Sequence, residues 1–564
     1  MSNSTQGDSS QQSSKKTRDW IKASLPYDRT KKSGINLGYL LAIFHKIFKL
    51  YIAMKFQTII ILAVGCKLGS ASDSRTSGLR ARRIGAQDFE HQPQQRPIMV
   101  PVVWNDQNMA SIEFCSDGTT FGYRLPGERT CGPAGLLVRV KPGQDYKFTV
   151  RNTVQDEPTN VHTHGLHIAG SGNADDVTRF VEPNMCLTYT WSIAEDTMGG
   201  THWLHSHMHE LTQKQTAGGA FSMFIVEDNE NILDNVKSKK DQENIQKWLD
   251  NEILLIAAKI GDSYTGFGST TPSASSTSTF DMTSDEWYRL RLLTVQQNGK
   301  RLPVNFPKEC DIHHAASDGV FNFETPELES RHEFFPTGAS RMDLAVKCPA
   351  GRFTVTAGEN MDPVAVFEVE NGSPSSASPF LSGVQAWEPV RPYSLRDLSN
   401  ENIEDFENYE VVLNQRTISG NAWDEEDPAF YKTYDSLQEW TVAGSAAHPF
   451  HLHVHHMQTF NCDGHKDGEY YDTIAASNDD CIVRFHVVDY GSRTVMHCHN
   501  IGHEDQGMVR IFSRLCGLID PSSFFPTHRF RSLEFPDGLV RCSRRTSSRG
   551  LWSLPACLPG RRMR

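Results

Sequence analysis

The chain has no surplus of basic residues, no apolar run long enough to cross a bilayer and no internal repeat. Its 56 Lys and Arg are outnumbered by 68 Asp and Glu, a formal net charge of −12. That balance lacks the basic footprint of a nucleic-acid binder, so no nucleic-acid partner is expected, and it modestly favours cationic substrates. The apolar core at residues 59–64 is too short to span a membrane, and the upstream patch at residues 37–50 is interrupted by His45, Lys46 and Lys49, so no membrane anchor is expected. Without self-similarity at a solenoid period, repeat architectures are excluded. What remains, 564 residues with 38% hydrophobic and 22% charged content, is a globular chain long enough for three domains of ordinary size.

The two ends read as something other than fold. Residues 1–34 are rich in Ser, Lys and other polar residues, the composition of a disordered segment. From Met54 onward stand the charged start, short apolar core and small-residue end, Gly69-Ser70-Ala71-Ser72, of a secretory signal. Residues 54–72 are therefore expected to be a signal peptide, residues 1–53 a disordered or spurious upstream extension, and the protein to be secreted to the extracellular space. Residues 520–564 are Arg-, Ser- and Pro-rich without a strand pattern and are expected to be a disordered tail.

Cysteine usage agrees with secretion. With Cys66, Cys498, Cys542 and Cys557 set aside, eight of the 12 cysteines remain, an even number that permits full pairing outside the cytosol. Local pairing would join Cys115 with Cys131, Cys310 with Cys348 and Cys462 with Cys481, leaving Cys186 and Cys516 to tie the first domain to the last. Asn371-Gly372-Ser373 is a glycosylation acceptor sequence with the same implication.

Strand signals run through the middle of the chain. Residues 136–140 and 146–150 flank a Pro142-Gly143 turn and read as two strands of period two. Residues 187–193 and 221–226 continue that set. A polar helical stretch at about residues 231–249 leads to a second set at 288–295, 342–346 and 364–369. That second set carries a Ser/Thr-rich loop at 268–279. A Ser/Pro-rich linker at 373–378 precedes a third set between 410 and 511.

Chemistry-bearing residues are concentrated in four windows. Fifteen of the 23 histidines fall at 162–167, 202–209, 448–456 and 497–503. Within them stand four H-x-H pairs: His162/His164, His205/His207, His451/His453 and His497/His499. On a strand such a pair puts both rings on one face, roughly 7 Å apart at the backbone, which suits neighbouring metals better than one shared metal. A single pair is weak evidence, but four give eight imidazoles. Cys498 stands between His497 and His499, with His503 and Met508 downstream. A thiolate, an imidazole and a distant thioether are the ligand set of a blue-copper centre, and His448 is left over to supply the second imidazole. Because side chains alternate on an extended segment, His497 and His499 point away from Cys498 and would serve a different metal.

These motifs resemble those of the multicopper oxidases over roughly residues 95–515, in the family's order and with none missing. The resemblance implies an all-β fold of three consecutive cupredoxin-like Greek-key sandwiches. The first (95–230) and third (384–516) would carry the ligands, and the second (250–370) would carry none. It implies four copper ions: a type 1 ion on His448, Cys498 and His503 with Met508 axial; a type 2 ion on His162 and His451; and a type 3 pair on His164, His205, His207, His453, His497 and His499. The family usually has an aromatic residue where this chain has Thr163, a departure that spares the ligands. His167, His202, His209, His455 and His456 have no assigned role and read as supporting or surface residues. The implied reaction takes single electrons from a reducing substrate and reduces dioxygen to water. Electrons would pass from Cys498 through its own backbone to His497 and His499, over roughly 12–13 Å. Four protons are consumed, so acids should stand near the cluster, and Glu504 and Asp175 match positions where similar oxidases carry them.

The donor is left open. An axial Met suits phenols, aromatic amines or low-valent metal ions, and the 15 methionines form no insert suited to copper(I). A laccase-like phenol oxidase is the first expectation and a metal-ion oxidase, ferroxidase or cuprous oxidase, the second. A non-catalytic copper-binding relative would ordinarily have lost ligands, and copper nitrite reductase lacks the type 3 pair. A monomer is expected.

Overall fold

In the computed structural model the described residues are 99–268, 277–372, 378–380, 387–424, 428–433, 435–490 and 493–515. The expected signal peptide, upstream extension and tail lie outside them, as do most of the Ser/Thr-rich loop and of the Ser/Pro-rich linker.

Alternation builds the first sandwich. Strand Asp145–Asn152 buries Tyr146, Phe148, Val150 and Asn152 and exposes Asp145, Lys147 and Arg151, the period-two pattern of a half-buried strand. It pairs in parallel with Met109–Ser116 and antiparallel with Cys186–Ser192. At the turn that precedes it Gly143 has φ +75°, a conformation that glycine adopts without steric cost. The facing sheet runs in the order Val100–Pro101, Leu136–Val140, Phe221–Val226, Gly200–His205, His162–His164. Phe114, Phe148, Trp191, Leu204 and Phe224 fill the space between the two sheets.

The same plan recurs twice. Residues 252–370 form a six-stranded sheet centred on Tyr288–Val295 and Arg341–Lys347, facing a five-stranded one that holds Gly351–Ala357 and Asp362–Glu370. In residues 406–515 a six-stranded sheet containing Ser436–Ala443 and Cys481–Val487 faces a five-stranded sheet. The order of that last sheet is Tyr431–Thr433, Val509–Leu515, Thr494–Cys498, Phe450–Leu452, Thr473–Ile474. The fold is therefore all-β, in three consecutive cupredoxin-like sandwiches.

Several strands depart from alternation, and for two of them the reason is visible between the sandwiches. Phe221–Val226 and Tyr288–Val295 are buried along their whole length. Leu137, Trp203, Met223 and Ile225 of the first sandwich meet Leu254, Ile256, Leu293 and Val295 of the second in one apolar layer, so both faces of these strands are covered. Arg289 and Arg291 fit inside because Asp228, Glu252 and Asp343 pair with them.

The helix is shorter than the polar stretch suggested. It spans Lys239–Asp250 and begins at Ser238, whose side chain accepts from Asp241 N at 3.3 Å, an N-cap that satisfies one of the free amides of the first turn. Residues 231–236 instead form turns that press Ile232, Leu233 and Val236 into the cluster holding the helix's Ile245, Trp248 and Leu249. Phe321, Trp387 and Tyr470 complete this cluster, which bridges the second and third sandwiches.

Cys115–Cys131, Cys310–Cys348 and Cys462–Cys481 are disulfide-bonded. Cys186 is also bonded, and Cys516, its expected partner, lies outside the described residues. Among the described residues no helix is long and apolar enough to cross a membrane. Trp248→Ala, which empties the centre of the bridging cluster, is expected to cost about 3–5 kcal/mol and to lower the thermal unfolding midpoint; an unchanged midpoint would contradict the packing described.

Candidate metal centres

Antiparallel register brings the histidines together. In the first sandwich His162 stands opposite His205 and His164 opposite Trp203. In the third, His451 stands opposite His497 and Phe450 opposite Cys498. His207, His453 and His499 each follow directly on a strand or its last residues. At the junction the donor atoms converge in three groups, His162 with His164 and His451, His164 with His205 and His499, and His207 with His453 and His497, so that His164 is shared by two. His162 Nε2 lies 3.4 Å from His451 Nε2. His164 Nδ1 lies 3.4 Å from His205 Nε2, and the donor atoms of His164, His205 and His499 converge. His497 Nε2 lies 3.2 Å from His207 Nε2 and 3.1 Å from His453 Nε2.

The outer nitrogens are anchored. His162 Nδ1 is 2.8 Å from Asp175 Oδ2, and His164 Nε2 is 3.0 Å from Asp472 Oδ1. His205 Nδ1 donates to Ser206 O and His451 Nδ1 to Asp472 O. The two carboxylate oxygens of Glu504 stand 3.3 Å from His207 Nδ1 and 3.2 Å from His497 Nδ1. An imidazole whose hydrogen is engaged on the outer nitrogen presents a bare lone pair on the inner one. Burial, reinforced by neighbouring imidazoles, pushes His162 and His453 well below the ordinary histidine range, and His207 falls to about 4 mainly through burial. Burial therefore favours the neutral form of these three rings. Both nitrogens of His499 are buried without a hydrogen-bond partner. Neutral imidazoles with converging lone pairs are what a cation needs and what a protein interior otherwise avoids, so this donor set fits copper ions.

The second centre lies in the core of the third sandwich. Cys498 Sγ is 3.6 Å from His448 Nδ1 and 3.9 Å from His503 Nδ1, and the two Nδ1 atoms are 3.0 Å apart. Met508 is fully buried in the same cluster. Its N donates to His503 O and its O accepts from Cys498 N, at 3.0 and 3.1 Å. Burial pushes the Cys498 thiol up to about 12, so only a bound metal would make it a thiolate. Cys498 is free and buried. His448 and His503 are half-buried and give this centre an edge at the surface.

Sequence reasoning named these twelve donors together with Glu504 and Asp175, and the structure brings all of them to the two sites. Asp175 and Glu504 are both buried. Burial pushes the Asp175 carboxyl up to about 7 against the Thr163 N–H bound to it. In Glu504 burial acts in the same direction but is overridden by His207 and His497, which hold it well below the carboxylate range. Asp472 was missed. No motif marks it, because its partners His164, His451 and Arg341 are scattered over the chain. His202, His455 and His456 are buried and His167 is half-buried; with His486 they line a cavity of about 250 Å³, while the His209 ring lies tilted beside Trp423, 5.8 Å between centroids. His167 Nδ1 donates to the carbonyl of Val454 at 2.8 Å. Val454, directly after His453, has φ +68°, a strained value for a β-branched residue.

The multicopper oxidase family matches over residues 132–231 and again over residues 391–515. The chain is 22% identical over 411 residues to "Multicopper oxidase mco" of Staphylococcus haemolyticus, covering 70% of this chain and 85% of that protein. A laccase from Pediococcus acidilactici superposes with a TM-score of 0.57 at 18% identity, over 74% of this chain and 93% of that one. A metallo-oxidase from Campylobacter jejuni gives 0.55 at 15% identity, over 74% and 94%. At such identities the two structures support the fold alone.

Cys498→Ser is expected to abolish the intense blue absorption of the copper-loaded protein while copper at the eight-histidine site is retained. Absorption spectroscopy with copper analysis checks this, and a persistent blue band would remove Cys498 from the centre.

Proposed function

The chain belongs to the multicopper oxidase family, an oxidoreductase family that uses copper, dioxygen and a reducing substrate, and on that premise we propose that it oxidises phenols or aromatic amines in the manner of a laccase. The observation that carries this reading is the joining of two centres through one residue. Cys498 belongs to the half-exposed centre, while its chain neighbours His497 and His499 belong to two of the buried groups. His448, Cys498, His503 and Met508 would hold one ion, His162 with His451 a second, and the groups of His499 and His497 one each. Copper so held would accept electrons singly at Cys498 and reduce dioxygen at the eight-histidine site.

The protein's own groups handle orientation, water and protons. Burial of all eight imidazoles keeps bulk water from the site. The Glu504 oxygens face the Nδ1 atoms of His207 and His497 at 3.3 and 3.2 Å, and Asp175 holds His162 Nδ1. These two carboxyl groups are also the acids placed to pass protons toward the site. The half-buried edges of His448 and His503 are where a donor would dock.

An organic donor is favoured over a metal cation by where the nearby carboxylates go. Glu504 is turned into the buried site, and Asp505 accepts from Thr212 N and Gln213 N. Burial lowers both imidazoles of the half-exposed centre, and His448 and Arg416 lower His503 further. The three disulfides among the described residues suit an oxidising compartment and support secretion as part of the same proposal.

Dioxygen uptake by the copper-loaded protein, with a methoxyphenol, an aromatic diamine, iron(II) and copper(I) offered in parallel, is expected to be fastest with the organic donors. A preference for either metal ion would transfer the assignment to a metal-ion oxidase. Glu504→Gln is expected to keep the blue absorption and slow dioxygen uptake by on the order of 10²-fold; turnover at the wild-type rate would refute its part in proton delivery.

A further inference from the structure

Among its described residues the middle sandwich offers no ligand to either centre, yet it sends a fully buried side chain to the eight-histidine site. Arg341 stands first in strand Arg341–Lys347 and is 1% exposed. A guanidinium has five N–H donors, and here each has an acceptor. Nε donates to Thr201 O at 3.1 Å, and Nη1 to Ala339 O at 2.9 Å and to Asp472 Oδ1 at 3.0 Å. Nη2 donates to Asp318 O at 3.0 Å and to Asp472 Oδ2. Thr201, Ala339 with Asp318, and Asp472 belong to the first, second and third sandwiches respectively. The fork therefore ties all three together at one point.

Asp472 carries that grip to the imidazoles. Its Oδ1 accepts from His164 Nε2 at 3.0 Å and lies 3.8 Å from His451 Nδ1, whose hydrogen goes to Asp472 O at 2.8 Å. Thr473 Oγ1 lies between the two rings, 3.3 Å from His164 Nε2 and 3.1 Å from His451 Nδ1. Unlike the neighbours it faces, which present Nε2, His164 meets its triad through Nδ1. A ring that must present Nδ1 needs its hydrogen held on Nε2 by an outside acceptor, and Asp472 is that acceptor. The packing leaves no slack: Gly165, next to His164, has φ +89°, and a Cβ there would strike Arg341 Nη2 and come within 2.7 Å of Asp472 Oδ2. A buried ion pair contributes little net stability once its desolvation is counted, so stability alone does not account for such an arrangement.

We propose that Arg341 is a positioning residue of this oxidase: its bidentate grip on Asp472 orients His164 of the first sandwich and His451 of the third toward copper, so that the ligand-free middle sandwich governs the eight-histidine site. The inference rests on the copper-oxidase reading above. Arg341 touches no candidate ligand itself and acts through Asp472. Lysine cannot replace the fork, because an ammonium has neither the reach nor the planar pair of donors.

The test compares wild type with Arg341→Gln, Arg341→Lys and Asp472→Asn, each loaded with copper(II) and titrated with a copper chelator. Copper per chain, the electron paramagnetic resonance of the copper not bound to thiolate, and the blue absorption are read together. Arg341→Gln and Asp472→Asn are expected to release histidine-site copper at about 10- to 100-fold lower chelator concentration with an altered resonance spectrum and unchanged blue absorption. Arg341→Lys is expected to recover only part of the loss. Wild-type copper retention and resonance in both Arg341→Gln and Asp472→Asn would overturn the proposal. So would loss of the blue absorption in step with histidine-site copper, which would mark a general loosening of the protein. If Arg341→Gln fails to fold, the near-isosteric Asp472→Asn decides by the same readouts. Wild type with no blue absorption or no histidine-site copper would instead sink the oxidase reading, an outcome distinct from either of these.

Discussion

The inner nitrogens of the histidine site meet at 3.1–3.4 Å, lone pair against lone pair, in a buried interior. Such a contact is unfavourable until a cation lies between the rings, and the protein must hold it in place by other means. It does so from outside. Asp175 and Asp472, together with the carbonyls of Ser206, Asp472 and Cys498, hold the outer nitrogens of five of the rings, and Glu504 faces two of them. Each carboxylate is itself buried and must be satisfied in turn. Arg341 answers Asp472, and the Thr163 N–H answers Asp175. Four rings come from each of two sandwiches, so preserving the site means preserving how those sandwiches dock.

That requirement gives the middle sandwich its place. It joins the first through a continuous apolar layer and the third through the cluster around Trp248. Both contacts are broad and non-directional, and they hold the outer sandwiches near each other without fixing the rotation of any single ring. Directional control is left to the charged groups set in or beside those layers. The thiolate centre is built differently. All its donors come from the third sandwich, Cys498 and Met508 belong to that sandwich's own core, and its histidines reach the surface. One centre is thus sealed by assembly and the other opens to donors, and the chain links them with a single residue.

Much of this was legible in the sequence because strands write their geometry with period two. The four H-x-H pairs and the Cys498 bracket rest on short-range spacing, and the three local disulfides are formed; His448, 50 residues from Cys498, was reached by elimination and by the family resemblance. Most strands were legible as well, since a half-buried strand such as Asp145–Asn152 must alternate. The strands that meet another sandwich, Phe221–Val226 and Tyr288–Val295, lose alternation. The helix boundary was misjudged because the apolar residues before Ser238 mimic helical spacing while packing as turns.

By itself the sequence determined the four H-x-H pairs and the bracket that joins Cys498 to His497 and His499, because both are local properties of a chain whose side chains alternate, and the family resemblance supplied the rest of the candidate donors. Only the tertiary structure decided which imidazoles share an ion site, which nitrogen each presents, and where the carboxylates turn. It moved Asp505 onto a helix amide and Glu504 inward, and it revealed Asp472 and Arg341 as partners 131 residues apart. Those choices depend on contacts between distant segments, and no spacing along a chain encodes how one sandwich rotates against another.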